Sequence, residues 1–155
     1  MFLSFLKDFL TNPLFLSAAA GWLLSQGSKI IYRSVKNHGI SMKIVTSSGG
    51  MPSSHTATVS GLLFATLFRC GAAGFEFPMA LFFAIVVIYD ALNVRYQASL
   101  HGRALNYLSE HELKDDSWFR EQKKYDEHLG HTLPEVIVGF FIGLAAAILI
   151  HLAVK

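Results

Sequence analysis

Charged residues are scarce in this 155-residue sequence. They make up 15% of it, against about 25% in an ordinary soluble domain. Hydrophobic residues make up 52%, and the mean hydropathy is +0.41. So few polar side chains do not cover the surface of a water-soluble globule, and a chain this apolar with a small net charge is not disordered. The composition therefore predicts one integral membrane domain over residues 1–155.

The sequence has little cysteine and no large excess of one charge. Cys70 is the single cysteine, which excludes an intramolecular disulfide and a zinc site built on cysteines. The 13 Lys and Arg residues against 11 Asp and Glu give a net charge of +2, without the concentrated basic face that binds nucleic acid. We expect no nucleic-acid partner, no cofactor and no metal.

Four apolar segments approach the roughly 20 residues that a helix needs to cross a bilayer. They cover residues 13–32, 53–70, 75–94 and 134–154. Ahead of them, apolar residues at helical spacing in residues 2–10 predict a short interfacial helix that Thr11-Asn12-Pro13 ends. The expected fold is all-α, an integral membrane bundle of about four transmembrane helices with a short N-terminal interfacial helix.

Basic residues are distributed unevenly between the two ends of these segments. Ten of the 13 Lys and Arg residues lie at the end of, or after, the first and third segments. Loops rich in Lys and Arg face the cytoplasm, so we place residues 33–52 and 95–133 there, in an inner or plasma membrane. The polar loop at 99–130 is expected to form a pair of helices or to stay mobile.

The first motif, at the entrance to the second segment, reads Gly49-Gly-Met-Pro-Ser-Ser-His55. Glycines, a proline and two serines make a helix start whose free backbone N–H groups attract an anion. His55 lies in the first turn, where it would donate a proton to a bound phosphate ester. The alternative is an ordinary serine N-cap with a histidine that faces solvent.

The second motif, Tyr89-Asp-Ala-Leu-Asn-Val-Arg95, ends the third segment. A carboxylate in a membrane segment is costly and usually has a partner or a function, so we expect Asp90 to pair with Lys29 or Arg95. Either base would alternatively hold an anion, and arginine suits bidentate contact with phosphate. The competing explanations are a structural ion pair and, for Lys29, a side chain that reaches out to the membrane surface.

The third motif, Gly130-His-Thr-Leu-Pro-Glu-Val136, opens the fourth segment. His131 and Glu135 are four residues apart and share one face of a continuous helix. The carboxylate would there orient the imidazole and make it a better nucleophile. Thr132 and Glu135 also fit a capping box, so the alternative role of Glu135 is to cap the helix.

The four-segment arrangement brings four reactive side chains to one membrane face, one from the end of the first segment and three from the motifs: Lys29, His55, Arg95 and His131. Residues 49–55, 89–95 and 130–136, in this order, resemble the divergent branch of the type-2 phosphatidic acid phosphatase and vanadium haloperoxidase superfamily. The resemblance extends over residues 26–143, and the GGMPSSH string is its most specific part.

This resemblance implies a metal-independent phosphatase whose histidine attacks phosphorus and forms a phosphohistidine. His131 would be the nucleophile, Glu135 its orienting group and His55 the general acid. Four further residues would bind the phosphate: Ser53, Ser54, Lys29 and Arg95. Asp90 and Gly130 would support the site. The substrate would be a lipid phosphate or a prenyl diphosphate, with its head at the cytoplasmic interface and its tails between the helices.

The sequence departs from the superfamily pattern in several places. The first motif of the superfamily, Lys-x6-Arg-Pro, is absent. The superfamily has an arginine six residues before the nucleophile, and this sequence has Tyr125 at that position. Ser54 replaces a glycine and Glu135 an aspartate.

Two further hypotheses stay open beside the phosphatase. One is a non-catalytic membrane protein that keeps the fold and binds anionic lipids. The other is a small dimeric transporter that uses Asp90 and Lys29 within the spans. Gly139 and Gly143 offer small residues, four apart, for the interface of a homodimer.

Overall fold

The computed structural model describes residues 1–36, 38 and 49–154, and the regular elements among them are all helical. The helices are α1 (Phe2–Leu10), α2 (Pro13–Lys36), α3 (Ser54–Cys70), α4 (Glu76–Tyr89), α5 (Arg95–His111), α6 (Ser117–Glu121) and α7 (Leu133–Ala153). A π-helical turn, Asp90–Val94, joins α4 to α5. The expected all-α fold with a short N-terminal helix is confirmed.

Turn residues set the ends of the helices. The Asn12 side chain accepts a hydrogen bond from the Leu14 N–H (2.9 Å) where α2 begins with a proline. The Ser53 hydroxyl caps α3 by accepting from the Thr56 N–H (3.3 Å), as short hydroxyl side chains do at helix N-termini. Gly71 ends α3 with a φ of 73°, which a residue without a Cβ adopts at little cost.

Small residues fill the interior of the bundle, and large apolar residues cover its outside. Helix α3 packs against α2, α4 and α7, and α2 also packs against α7. The buried positions include Ser17, Ser60, Ala57, Ala146 and Ala147. In contrast, many large apolar side chains are exposed, among them Phe82, Phe83, Val86, Phe141 and Leu149. Small residues inside and large apolar residues outside are typical of a helix bundle whose outer surface contacts lipid.

The backbones of α3 and α7 lie in direct contact. A Cβ on Gly139 would lie 2.5 Å from the Ser53 carbonyl oxygen, and one on Gly143 would collide with the carbonyl oxygen of Ala57. Both glycines are buried in this contact. Helix α3 of the same chain therefore occupies the face that the sequence offered for a homodimer contact, and the homodimer itself stays a prediction.

Two helical stretches among the described residues are long and apolar enough to cross a bilayer: Glu76–His111 and Leu133–Ala153. The predicted segments at 13–32 and 53–70 also form helices, α2 and α3. The count of four spans stays a prediction.

The third segment does not stop where the sequence predicted. No glycine or proline interrupts residues 79–101, so the helix continues through the π turn to His111 as one stretch of 36 residues. At 1.5 Å per residue it is about 54 Å long, well beyond the roughly 30 Å of hydrocarbon in a bilayer. The polar loop at 99–130 is thus largely helical at its start and contains the short helix α6.

We expect Gly143→Ala to destabilise the bundle. Its new methyl group would meet the Ala57 carbonyl oxygen and would lie 2.7 Å from the Gly61 nitrogen, and overpacking of this kind costs about 1–3 kcal/mol. Gly27→Ala in α2 is the matched control, because a Cβ at position 27 has no neighbour within 4 Å. Thermal unfolding in detergent measures both variants. Equal melting temperatures would contradict the close contact of α3 and α7.

Candidate active site

The predicted site residues meet at one end of the bundle, and His131 lies at their centre. Its side chain is buried, with 1% of the residue exposed. Its backbone N–H donates to the Ala91 carbonyl oxygen in the π turn (3.0 Å). The preceding Gly130 lies against the backbone of the same helix, because a Cβ there would collide with Tyr96. The chain before α7 is therefore fixed on the π turn.

Glu135 serves both roles that the sequence left open. Its Oε2 atom accepts from His131 Nδ1 at 2.9 Å and from the Thr132 backbone N–H at 3.2 Å. One oxygen thus orients the imidazole and caps the start of α7. Position 135 is the third residue of this helix, where a glutamate reaches back to the N-cap.

The two histidines of the site face each other. His55 Nδ1 and His131 Nε2 lie 3.5 Å apart, and the rings meet at 64° with their centroids 5.7 Å apart. Because the Nδ1–H group of the neutral His131 ring donates a hydrogen bond to the carboxylate, its Nε2 atom presents a lone pair toward His55. Nε2 of His131 can therefore accept a proton or act as a nucleophile, and a second imidazole lies next to it.

The two serines of the first motif are buried. The Ser53 hydroxyl accepts from Thr56 Oγ1 at 3.0 Å as well as from the Thr56 N–H, and the Ser53 N–H donates to the Glu135 carbonyl oxygen at 3.0 Å. Ser53 therefore ties α3 to the first turn of α7. Ser54 follows it as the first residue of α3.

Asp90 pairs with Arg95, one of the two partners that the sequence offered. Residues five apart on an α-helix point about 140° away from each other. In the π turn, however, the Arg95 N–H bonds to the Asp90 carbonyl oxygen, so the two side chains lie on one side of the helix. Both are partly exposed, 45% for Arg95 and 37% for Asp90.

Lys29 is the buried cation of the site, with 1% of the residue exposed. Its charge acts on both histidines and on Glu135, and the charge of Arg95 also acts on both histidines. The structure therefore brings together the predicted residues of all three motifs and of α2.

Arg33 belongs to the same region, and the sequence analysis did not include it among the site residues. Its Nη2 atom donates to the Gly49 carbonyl oxygen at 2.9 Å, and its charge acts on Lys29. The available signal was its spacing, because Lys29 and Arg33 are four apart and share a face of α2.

The pKa of His131 is lowered, and burial is the largest cause. The hydrogen bond and charge of Glu135 raise it, whereas the positive charges of Lys29 and Arg95 lower it further. The imidazole is therefore neutral at pH 7. Since the unfolded chain takes up this proton at a higher pH than the folded one, acidification below about pH 6.5 reduces the stability of the fold.

A bound metal ion needs several ligating side chains that lie together. Within residues 1–36, 38 and 49–154, no three His, Cys, Asp or Glu side chains lie together to hold a metal ion.

Comparison with known proteins relates the chain to one family. The model of the Divergent PAP2 family matches residues 10–146. The chain is also 32% identical over 146 residues to the uncharacterized membrane protein YuiD of Bacillus subtilis (strain 168), an alignment that covers 88% of this chain and 92% of the relative. No solved structure matches the chain.

We expect Glu135→Gln to lower the pKa of His131 further. The variant removes the negative charge that raises this pKa, whereas burial, Lys29 and Arg95 remain to lower it. Titration of ring-labelled histidine by NMR measures the shift. Glu121→Gln, at an exposed position of α6, is the control and leaves the titration unchanged. A rise in the pKa of His131 in the Glu135 variant would show that the carboxylate does not hold this ring.

Proposed function

The chain belongs to the divergent PAP2 family of membrane proteins, and from that premise we propose that it is a metal-independent phosphatase. Its substrate is a lipid phosphate or a prenyl diphosphate, and its reaction passes through a phosphohistidine. The observation that carries the proposal is the position of His131, whose Nδ1 atom is bonded to Glu135 and whose Nε2 atom faces His55.

In the first step, Nε2 of His131 attacks phosphorus, the N–P bond forms and the bond to the leaving oxygen breaks. His55 is protonated when the bound phosphate offsets the charges of Lys29 and Arg95, and it gives its proton to that oxygen, so the leaving group departs as an alcohol or as a protonated prenyl phosphate. Glu135 stabilises the positive charge that develops on the ring of His131, as the third member of a triad does. In the second step, water gives a proton to neutral His55 and attacks phosphorus, which releases inorganic phosphate and restores His131.

Positive charge near the transferring phosphoryl group supports this chemistry. Lys29 is buried, and a charge in a poorly solvated site interacts strongly with an anion. Arg95 is held by Asp90, which orients its guanidinium before a phosphate arrives. The N-terminus of α3 adds the partial positive charge of its backbone N–H groups.

A phosphoryl group has to enter between His55 Nδ1 and His131 Nε2, which are 3.5 Å apart. His131 is held at its backbone by Ala91 and at Nδ1 by Glu135, whereas His55 is only half-buried. We therefore assign the opening movement to His55, which turns toward the leaving group as the substrate enters.

A lipid substrate suits the surroundings of the site. The reactive groups lie at the ends of helices whose outer faces are apolar, including Phe82 and Phe83 of α4 and Phe141 of α7. A phosphate head would reach the site from the membrane surface while its chains stay against these faces. The site then faces the cytoplasm, according to the distribution of Lys and Arg.

A second candidate is a membrane protein that binds anionic lipids without hydrolysing them. The contact between the two histidines favours it, since a separation of 3.5 Å between His55 Nδ1 and His131 Nε2 leaves no room for phosphorus between these atoms. The two candidates differ in a single measurement, the release of phosphate.

We expect His131→Ala to reduce phosphate release by at least about a thousandfold, because loss of the nucleophile removes the covalent path. Purified protein is assayed with chelator and without added metal, on phosphatidic acid, phosphatidylglycerol phosphate and prenyl diphosphates. His101→Ala, at an exposed position of α5, is the control and keeps full activity. Lipid binding without phosphate release by the wild type would favour the second candidate, and an active His131→Ala would refute the nucleophile.

We expect His55→Ala to act differently on two kinds of ester. A general acid contributes about 10²- to 10⁴-fold, but only where the leaving oxygen needs a proton. The variant should therefore lose most of its activity on a lipid phosphate and keep most of it on a nitrophenyl phosphate, whose leaving group departs as an anion. The ratio of kcat/KM values for the two esters, in variant and wild type, measures the effect. An equal loss on both esters would contradict the acid role of His55.

A further inference from the structure

The chain that leads to His131 lies along helix α5. Residues 125–131, which we term the approach segment, contain no helix. They contact α5 and the π turn at three levels. Tyr125 and Glu127 bond to Asn106, Asp126 lies beside Gly102, and Gly130 and His131 lie against Tyr96 and Ala91.

Asn106 makes the far attachment of this segment. Its Oδ1 atom accepts from the Tyr125 N–H at 2.9 Å, and its Nδ2 atom donates to the Tyr125 carbonyl oxygen at 3.0 Å and to Glu127 Oε1 at 2.8 Å. The residue is buried, with 7% exposed. An asparagine amide has two donor hydrogens and one acceptor oxygen, and here both ends of the amide are bonded to the approach segment.

The middle attachment is a close approach of two backbones. A Cβ on Gly102 would lie 3.0 Å from the Asp126 carbonyl oxygen and 3.2 Å from the Tyr125 Cβ. Ser99, Gly102 and Asn106 are the buried residues of α5, so the face of α5 with small and amide side chains is the one that the segment covers.

The reach of the approach segment is about equal to the distance between its two attachments on the helix. Asn106 lies fifteen residues beyond Ala91, a distance of about 22 Å along the helix. Six residues from Tyr125 to His131 reach at most about 20–22 Å when extended. By this comparison the segment is just long enough to join its two attachments, so a displacement at one attachment acts on the other.

We propose that Asn106 is a positioning residue for His131. By holding Tyr125 and Glu127, it fixes the approach segment on α5 and so sets where the imidazole stands relative to His55. Asn106 does not touch the substrate. This inference rests on the proposed function for its effect on rate, but its effect on the position of His131 does not depend on hydrolysis.

Four variants test the proposal. Asn106→Ala removes all three hydrogen bonds. Asn106→Asp keeps the acceptor for the Tyr125 N–H but faces Glu127 with a second carboxylate. Adding Glu127→Gln to Asn106→Asp supplies a donor for that carboxylate and restores one contact. Gln97→Ala, at an exposed position of the same helix, is the matched control.

The expected kinetic result is a loss in kcat with little change in KM. Displacement of a reacting group by about 1 Å costs as much as 100-fold, so kcat of Asn106→Ala should fall by about 10- to 100-fold. KM should stay within about twofold, because Lys29 and Arg95 are untouched. Asn106→Asp should lose similar activity, the double variant should recover part of it, and Gln97→Ala should match the wild type.

Two readouts test the position of His131 without any reaction. Hydrogen exchange of residues 125–131 should become faster in Asn106→Ala, while that of α3 and α7 stays slow. The NMR titration of His131 should move toward that of an exposed histidine. Unchanged exchange and titration in Asn106→Ala would overturn the proposal, as would a loss of kcat that follows a lower melting temperature of the whole bundle. If the wild type releases no phosphate, the proposed function fails, and these two readouts still decide the role of Asn106.

Discussion

Polar backbone groups that are buried away from water need hydrogen-bond partners, and at the π turn this requirement fixes the site. The Ala91 carbonyl oxygen bonds to the N–H of His131, and the Asp90 carbonyl oxygen bonds to the N–H of Arg95. One irregular turn therefore holds the reactive histidine and brings Asp90 beside Arg95. In a regular α-helix the two charged side chains would point apart, and π turns are in general frequent at functional sites.

The close packing of α3 on α7 completes what the π turn begins. Gly139 lets the Ser53 carbonyl approach α7, and the Ser53 N–H then bonds to the Glu135 carbonyl oxygen. Through this contact the start of α3, which carries His55, is tied to the residue that orients His131. The small interior residues of the bundle thus do more than allow packing, because they also set the register between the two histidines.

Local patterns in the sequence predicted much of this arrangement. Turn residues and hydropathy located α1, α2, α3 and α7 within a few residues, and the i, i+4 spacing predicted the contact of His131 with Glu135. The sequence left open whether Glu135 orients His131 or caps α7. A spacing pattern assigns one partner at a time, whereas one carboxylate oxygen of Glu135 accepts from both groups. It also offered two partners for Asp90, since the π turn that selects Arg95 has no recognisable signal of its own.

The features that the sequence missed depend on distant parts of the chain. The third segment continues past residue 94 as α5, because no glycine or proline interrupts it there, whereas the sequence analysis ended the segment at that point and left a helix pair or a mobile loop open for residues 99–130. Asn106 was not singled out, because its partners are 19 and 21 residues away and two of the three bonds go to backbone atoms. The face of Gly139 and Gly143 was assigned to a second chain, since small residues four apart indicate a helix contact without naming the partner.

The 36-residue helix Glu76–His111 also connects the apolar outer surface of the bundle to the site. Its α4 part has the outward-facing phenylalanines, and its π turn and α5 part carry the contacts that hold His131. His55, in contrast, belongs to α3. The Ala91 carbonyl oxygen of the long helix bonds to the His131 N–H, and the Ser53 N–H at the start of α3 bonds to the Glu135 carbonyl oxygen. The distance between the two histidine rings therefore depends on how the long helix and α3 are placed relative to each other.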